Sequence, residues 1–283
     1  MNDLLLKMLD EQAEETDDST NQVRLLGLQA ECRIADELGL SRRQVEIAAV
    51  SQHIIPTRYL RSLGTVGWDG QKKLLEATVV IIGSGGLGGW IIEGLARMGV
   101  GHLVVVDGDV FEENNLNRQV LCTEGSLGEA KTECALSRVA EINSAVEMEV
   151  HRTWANRENL PKLLDGATVV VDALDTLPAR LLLQDISQSL GIPLVHGAIG
   201  GYIGQVMTIF PKDTGLYALY GRGPVPERGI ETQWGNPAAT PMMVAAWQIQ
   251  ETVKVIAGKG TLLRNRLLFM DAQSGECQLL HLA

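Results

Sequence analysis

Three groups of residues in the first half of the chain have the types and the spacing needed to bind phosphate. A glycine cluster, Gly83-Ser84-Gly85-Gly86-Leu87-Gly88, directly follows an apolar run, and Asp107 and Asp109 follow the next apolar run. Arg118 and Lys131 come after these carboxylates. Glycines let a backbone come close to phosphate oxygens, and cations neutralise the phosphate charge. These residues therefore favour nucleotide binding.

The surrounding pattern predicts the elements that position these residues. Thr78 to Ile82 and Leu103 to Val106 are apolar runs that predict buried strands, and a helical pattern lies between them. This order indicates an α/β fold, a doubly wound Rossmann-like mostly parallel sheet with helices on both faces. The helix start offers free N–H groups to an anion, and Asp107, about 20 residues past the glycines, can bind a ribose hydroxyl.

The glycine loop alone also fits an NAD-dependent oxidoreductase, which stays open as an alternative. A dinucleotide presents only a pyrophosphate, whereas Arg118 and Lys131 together supply two cations, which suit a triphosphate better. Arg118 lies in the run Asn114-Asn115-Leu116-Asn117-Arg118-Gln119, and Lys131 ends Gly128-Glu129-Ala130-Lys131. The order of these motifs favours ATP over NAD.

With these motifs, the sequence resembles the adenylating enzymes of the MoeB/ThiF/HesA group, relatives of the ubiquitin-activating enzymes, from about Arg58 to Ala283. The resemblance implies an ATP-dependent adenylyltransferase that activates the C-terminal Gly-Gly carboxylate of a small ubiquitin-like sulfur-carrier protein (MoaD/ThiS-like) as an acyl-adenylate. It also implies Mg²⁺ with the ATP, a homodimer, and sulfur transfer in the biosynthesis of molybdenum or tungsten pterin, thiamine or another thiolated product.

The resemblance implies roles for particular residues. The nucleotide-binding residues that it implies are Gly83, Gly85, Gly86, Gly88, Asp107, Asp109, Asn115, Arg118 and Lys131. The catalytic residues that it implies are Asp175, Arg118, Lys131 and Arg61.

Two carboxylates, Asp172 and Asp175, and one histidine, His196, follow later apolar runs. Asp172-Ala173-Leu174-Asp175 comes directly after Ala167 to Val171, and the carboxyl ends of parallel strands are where open sheets bind ligands. Asp172 fits a metal-holding role and a loop or capping role about equally. The family pattern is Asp-x-x-Asp-Asn, which implies that Asp175 is the Mg²⁺-associated catalytic carboxylate, although Thr176 replaces the asparagine. We expect His196 to be a buried, hydrogen-bonded histidine.

Arg61 belongs to a short basic element, Arg58-Tyr59-Leu60-Arg61. In the resembled family an Arg-Tyr-x-Arg element precedes the first strand, and its second arginine reaches into the partner subunit's ATP site. The resemblance implies this role for Arg61, although Ser62 replaces the family's glutamine. A solvated basic turn is the alternative.

Composition and cysteine spacing exclude several classes of partner and site. The net charge of −11 argues against general affinity for nucleic acid or an anionic membrane. Most of the resembled family carries a four-cysteine zinc site, but the four cysteines here, at 32, 122, 134 and 277, form no closely spaced pair. We therefore expect no structural zinc, no disulfide framework and a cytoplasmic location.

The first part of the chain predicts an appendage to the enzyme. We expect residues 1–55 to form a helical N-terminal extension and residues 56–283 to form the adenylation domain. Helices are predicted over Val23 to Leu38 and from Ser41 to about Gln52, and Glu14 to Thr20 reads as loosely structured. Two further alternatives stay open. One is a non-catalytic nucleotide-binding relative, and the other is adenylation of a ribosomal peptide, which extra N-terminal helices would suit.

Overall fold

The computed structural model of the chain describes residues 3–18, 21–227, 229 and 231–282. The N-terminal elements are α1 (Asp3–Gln12), β1 (Glu14–Asp18), β2 (Asn21–Leu26), α2 (Leu28–Leu38), α3 (Arg42–Ser51) and β3 (Ile54–Pro56). The elements that follow are α4 (Leu60–Glu76), β4 (Thr78–Ile82), α5 (Gly86–Met98), β5 (His102–Val106), α6 (Lys131–Ile142), β6 (Glu147–His151), α7 (Leu160–Leu163), β7 (Val169–Asp172), α8 (Leu177–Ser189), β8 (Leu194–Gly200), β9 (Ile203–Ile209), α9 (Tyr217–Tyr220), α10 (Glu231–Trp234), α11 (Ala239–Ala257), β10 (Arg266–Asp271) and β11 (Glu276–His281).

The large sheet has eight strands in the order β11-β10-β9-β8-β7-β4-β5-β6. The five strands from β8 to β6 in this order pair in parallel, and β9, β10 and β11 add antiparallel pairs. This confirms the expected mostly parallel α/β sheet. The chain leaves β4 toward β5 and β6, then returns to the other side of β4 as β7. The carboxyl ends of β4 and β7 therefore form the crevice where such sheets bind ligands.

Apolar side chains on both faces hold this sheet in place. The residues of β4, β5 and β7 are almost all buried, because helices cover both sides. Each fully buried Val or Ile contributes about 1.5–3 kcal/mol. Helices α5 and α11 pack closely because α5 carries a glycine at position 94, where a Cβ would lie 2.3 Å from Ile249 Cδ1. This packing fixes α5, whose first turn faces the crevice.

The N-terminal extension contains the expected helices and also a small sheet that the sequence analysis missed. Strands β1 and β2 form an antiparallel hairpin, and β3 pairs in parallel with β2. Helix α2 therefore begins at Leu28 rather than at Val23, because residues 23–26 are strand residues. Residues 14–18, expected to be loosely structured, form β1, and Thr20 lies outside the described residues.

Buried charges join the extension to the rest of the molecule. Glu31 of α2 and Glu46 of α3 are both almost fully buried. Arg58 Nη2 donates to Glu31 Oε2 at 3.2 Å, Tyr59 Oη donates to Glu46 Oε2 at 3.0 Å, and Asn143 Nδ2, at the end of α6, donates to Tyr59 Oη at 2.8 Å. We call these five residues the junction cluster. Burial and the nearby Glu31 charge raise the pKa of Glu46 to about 8.

Within the described ranges, no helix is both long and apolar enough to cross a membrane.

Candidate active site

A cavity of about 410 Å³ opens at the carboxyl edge of the large sheet, across the ends of β4, β5, β6 and β7. Most of the residues predicted to bind nucleotide or to act in catalysis line it. These residues are Gly83, Gly85, Gly86, Asp107, Asp109, Arg118, Lys131 and Asp175. The fold therefore brings into one space residues that the sequence spreads over nearly a hundred positions.

Three of the predicted residues lie outside the lining of this cavity. A Cβ at Gly88 would lie 2.0 Å from the Gly83 carbonyl oxygen, so Gly88 permits close contact of α5 with the loop. Asn115 is buried, and its side chain closes a turn by accepting from the Glu112 N–H at 3.2 Å. Arg61 is exposed on the surface of its own chain. The structure describes one chain, so the predicted action of Arg61 in a partner's site stays a prediction.

The glycine loop is shaped by the strand beside it. Gly83 has φ 101°, and a Cβ there would lie 2.6 Å from the Ala173 carbonyl oxygen. Only glycine tolerates both conditions. Gly85 precedes α5 as its N-terminal cap residue, and α5 begins at Gly86. The unpaired N–H groups of this first turn, together with the helix dipole, attract an anion into the cavity.

Asp107 ties the glycine loop to the tip of β5. Its Oδ2 accepts hydrogen bonds from the Ser84 N–H at 2.7 Å and from Ser84 Oγ at 3.0 Å, and its Oδ1 accepts from the Asp109 N–H at 2.8 Å. A carboxylate has about four lone-pair sites, so one remains for a ligand hydroxyl. Asp107 can therefore position the loop and also bind a ribose.

The two cations reach the cavity from different segments. Lys131 is the first residue of α6 and is only 6% exposed, and its Nζ lies 3.1 Å from Asp109 Oδ2. Arg118 Nη1 donates to the Asn114 carbonyl at 2.8 Å and to Asn117 Oδ1 at 2.7 Å. Each cation is thus oriented by protein oxygens and keeps further donors for phosphate oxygens.

Asp172, the last residue of β7, and Asp175, three residues later, have opposite surroundings. Asp172 is fully buried, with Oδ2 accepting from His196 Nδ1 at 2.6 Å and Oδ1 accepting from the Leu174 N–H at 2.9 Å. Burial alone raises the pKa of Asp172, but Arg180 and His196 outweigh it and hold that pKa below its usual range. Asp175 is exposed to the cavity, and within the described part of the chain its carboxylate makes no hydrogen bond or ion pair.

Asp172 therefore anchors the loop, and Asp175 is the carboxylate available to a ligand. The expectation for His196 is confirmed, because it is fully buried and hydrogen-bonded. Burial lowers the pKa of His196 and so favours the neutral ring, whose Nδ1–H donates to the Asp172 carboxylate. In the described ranges, no group of three or more His, Cys, Asp or Glu residues is placed to hold a metal ion by itself.

A family model described as the ThiF family matches residues 58–283. The chain belongs to the ThiF family. It is 38% identical over 234 residues to the SAMP-activating enzyme E1 of Haloferax volcanii. This match covers 82% of this chain and 84% of that protein. It is also 36% identical over 224 residues to the sulfur carrier protein adenylyltransferase of Thermus thermophilus. This second match covers 76% of this chain and 83% of that protein.

Among solved structures, the crystal structure of selenomethionine PaaA resembles this ThiF-family chain with a TM-score of 0.68 at 19% identity. The match covers 96% of this chain and 99% of that one, so the shared fold includes most of the N-terminal extension. At this level of identity the match shows the fold alone.

Two lining residues of this ThiF-family cavity were missed by the sequence analysis. Trp154 follows β6 and lines the cavity with a largely exposed indole. Gln119 is 7% exposed, and its Oε1 has no partner among the described residues. Gln119 was visible in the Asn-Leu-Asn-Arg-Gln run, but no local signal around Trp154 indicated that it faces a ligand.

Proposed function

We propose that this protein uses ATP to adenylate the C-terminal carboxylate of a small ubiquitin-like sulfur-carrier protein that ends in Gly-Gly. The observation that carries the proposal is a single cavity that combines a glycine loop at a helix N-terminus, two cations and the free carboxylate of Asp175. An NAD site has no task for these last three groups. The name of the Thermus thermophilus relative supports a sulfur carrier protein as the substrate, and the name of the Haloferax volcanii relative supports an activating reaction.

The residues of the cavity account for the chemistry. A carboxylate is a poor electrophile, so it must be activated before sulfur can replace its oxygen. A carboxylate oxygen of the carrier forms a bond to the α-phosphorus of ATP, the bond from that phosphorus to the β-phosphate oxygen breaks, and pyrophosphate leaves. The start of α5, Arg118 and Lys131 neutralise the phosphate charge, and Asp107 orients the ribose. Catalysis comes from positioning and electrostatics rather than from a covalent enzyme intermediate.

Mg²⁺ fits this site as a companion of ATP. Mg²⁺ is usually held by one or two carboxylates together with substrate phosphates and water. Asp175 offers an unengaged carboxylate at the cavity wall, and Asp109 offers a second one beside Lys131. We propose that Asp175 holds the ion, which would supply additional neutralisation of the phosphate charge.

We further propose a homodimer in which Arg61 completes the partner's site. The exposed position of Arg61 supports this proposal.

We also propose that the chain is divided into an extension over residues 1–55 and an adenylation domain over residues 56–283. The family match over residues 58–283 supports this division. Four free cysteines support a cytoplasmic location.

The direct test is exchange of labelled pyrophosphate into ATP, with and without a Gly-Gly-ending carrier. We expect exchange only with the carrier, and we expect no exchange when the carrier lacks its last two glycines. Thermal shifts with ATP and with NAD provide the comparison. Stabilisation by NAD but not by ATP, with no exchange, would contradict the proposal and support the oxidoreductase alternative.

The extension favours a second candidate function, adenylation of a ribosomal peptide. The supporting observation is that the extension folds into its own sheet and helices and is fixed to the catalytic part through the junction cluster. Such an appendage can hold a peptide. The same exchange assay with short genetically encoded peptides separates the two candidates, because each predicts a different activating substrate. A non-catalytic relative would show exchange with neither.

A further inference from the structure

We propose that Trp154 is the stacking platform for the nucleobase of ATP. The inference rests on the proposed use of ATP and adds the residue that binds the base, which neither the motifs nor the family match indicates. Trp154 is 65% exposed although it is the largest type of apolar side chain. A soluble protein gains by covering an indole, which can bury roughly 150–250 Å². The exposed indole is part of the wall of the cavity.

The loop that carries Trp154 is held rigidly. Asn159 Nδ2 donates to the Trp154 carbonyl oxygen at 2.9 Å. Asn156 and Asn159 also bond each other reciprocally, because the Asn156 N–H donates to Asn159 Oδ1 at 2.8 Å and the Asn159 N–H donates to Asn156 Oδ1 at 3.0 Å. The backbone that carries the indole is therefore preorganised, and a ligand that stacks on the ring would order little additional chain.

The ring rests against the residue after Asp107. A Cβ at Gly108 would lie 2.7–2.8 Å from indole atoms Cε2, Cδ2 and Nε1, so position 108 must be glycine for the ring to lie there. The indole thus sits directly beside the carboxylate that can bind ribose.

The order of groups along the sheet edge matches the order of groups in a nucleotide. The anion site lies at the end of β4, Asp107 at the end of β5, and Trp154 after β6. Neighbouring strands are roughly 4.8 Å apart. A nucleotide with its phosphates on the glycine loop and its ribose on Asp107 would therefore place its base over the end of β6.

The chemistry of the walls follows the same order. Arg118 lies at the glycine loop, where its Cγ is 3.8 Å from the position of a Cβ at Gly86, whereas the residue that follows Trp154 in the cavity lining is the apolar Ala155. Stacking on an aromatic ring tolerates any base. Trp154 would therefore supply affinity for the base as a flat apolar group and would not distinguish adenine from guanine by itself.

The test compares Trp154→Ala and Trp154→Phe with wild type, and uses Trp247→Ala as a control. Trp247 is a partly exposed tryptophan on α11 that does not line the cavity. We expect Trp154→Ala to raise the KM for ATP by roughly 10-fold or more and to leave kcat nearly unchanged, because base stacking is uniform binding. Trp154→Phe should retain most of the affinity, and Trp247→Ala should behave as wild type.

Inorganic tripolyphosphate is the second probe, because it has the phosphates but no base. Its inhibition constant should be the same in wild type and Trp154→Ala. An equal loss of affinity for ATP and tripolyphosphate, or no loss for either, would overturn the proposal. If wild type binds ATP by calorimetry but shows no exchange with any carrier or peptide, the proposed function fails, and the same comparison of binding constants still decides the role of Trp154.

Discussion

Substituting asparagine at Asp172 should lower the stability of the protein, whereas the same substitution at Asp175, three positions away, should lower its activity. The change keeps the shape of the side chain and removes its charge. Asp175 is exposed and makes no hydrogen bond or ion pair within the described ranges, so Asp175→Asn should change the free energy of unfolding by less than about 0.5 kcal/mol. Asp172 is fully buried, and both of its oxygens accept hydrogen bonds.

The cost at Asp172 follows from these contacts. An asparagine offers one acceptor oxygen and one donor NH₂ group, so either the Leu174 N–H or the His196 Nδ1–H would face a donor. Arg180, whose positive charge helps to lower the Asp172 pKa, would also lose its nearby buried counter-charge. We expect a loss of about 3 kcal/mol of stability, which corresponds to a fall of roughly 5–10 °C in Tm.

Catalytic activity, unlike stability, should fall in the Asp175 variant. Asp175→Asn should reduce carrier-dependent pyrophosphate exchange by roughly 100-fold or more, the effect typical of losing one electrostatic stabiliser of a transition state. ATP affinity should weaken only modestly, because Arg118, Lys131 and the glycine loop remain.

The assays are exchange kinetics, calorimetric ATP binding and thermal melts of both variants. Retention of most exchange activity by Asp175→Asn would refute the assignment of the metal-associated carboxylate and make Asp109 the candidate. A wild-type melting temperature for Asp172→Asn would refute the reasoning about its buried contacts.

Three further predictions concern the dimer, the junction cluster and zinc. Mixing Arg61→Ala with Lys131→Ala chains should restore exchange activity, because one site per heterodimer is intact; heterodimers as inactive as the parents would show that Arg61 does not act in trans. The raised pKa of Glu46, about 8, lies above its ordinary value of 4.5, so stability from this group is fully present below about pH 4.5 and is lost as pH rises through about 8. Urea melts from about pH 5 to about pH 9 should show this decline in wild type and a flatter curve in Glu46→Gln, and parallel curves would contradict the assignment. Elemental analysis should find far less than one zinc per chain, and a stoichiometric content would mean that ligands other than paired cysteines hold it.

Much of the fold could be predicted because its signals are local. The apolar runs Thr78 to Ile82 and Leu103 to Val106 form β4 and β5, with β5 beginning one residue earlier than predicted, and the helical pattern between them forms α5. The small sheet of the extension was missed because β2 pairs with Ile54 and Ile55, which lie about thirty positions farther along the chain, and the helical pattern of residues 23–38 continues through β2. A distant partner overrode the local preference.

The candidate site likewise has one part that local motifs predict and one part that depends on distant residues. Gly83, Gly85, Gly86, Asp107, Arg118, Lys131 and Asp175, which the sequence analysis assigned to one nucleotide site, all line one cavity. Whether Asp172 faced a ligand could not be predicted, because the answer depends on His196 on the neighbouring strand, directly opposite Asp172 in the register. Motifs indicate which residue types are available, whereas tertiary pairing decides which of them are already engaged.

The junction cluster argues against truncating the protein at residue 55. Glu31 and Glu46 lie before residue 55, but Arg58 and Tyr59, which they bind, lie after it. Deleting the extension would leave Arg58 without its acidic partners and would expose Tyr59, now fully buried, at the start of the helix that carries Arg61. We therefore expect the extension and the catalytic part to unfold together, so a calorimetric scan of the intact chain should show a single transition.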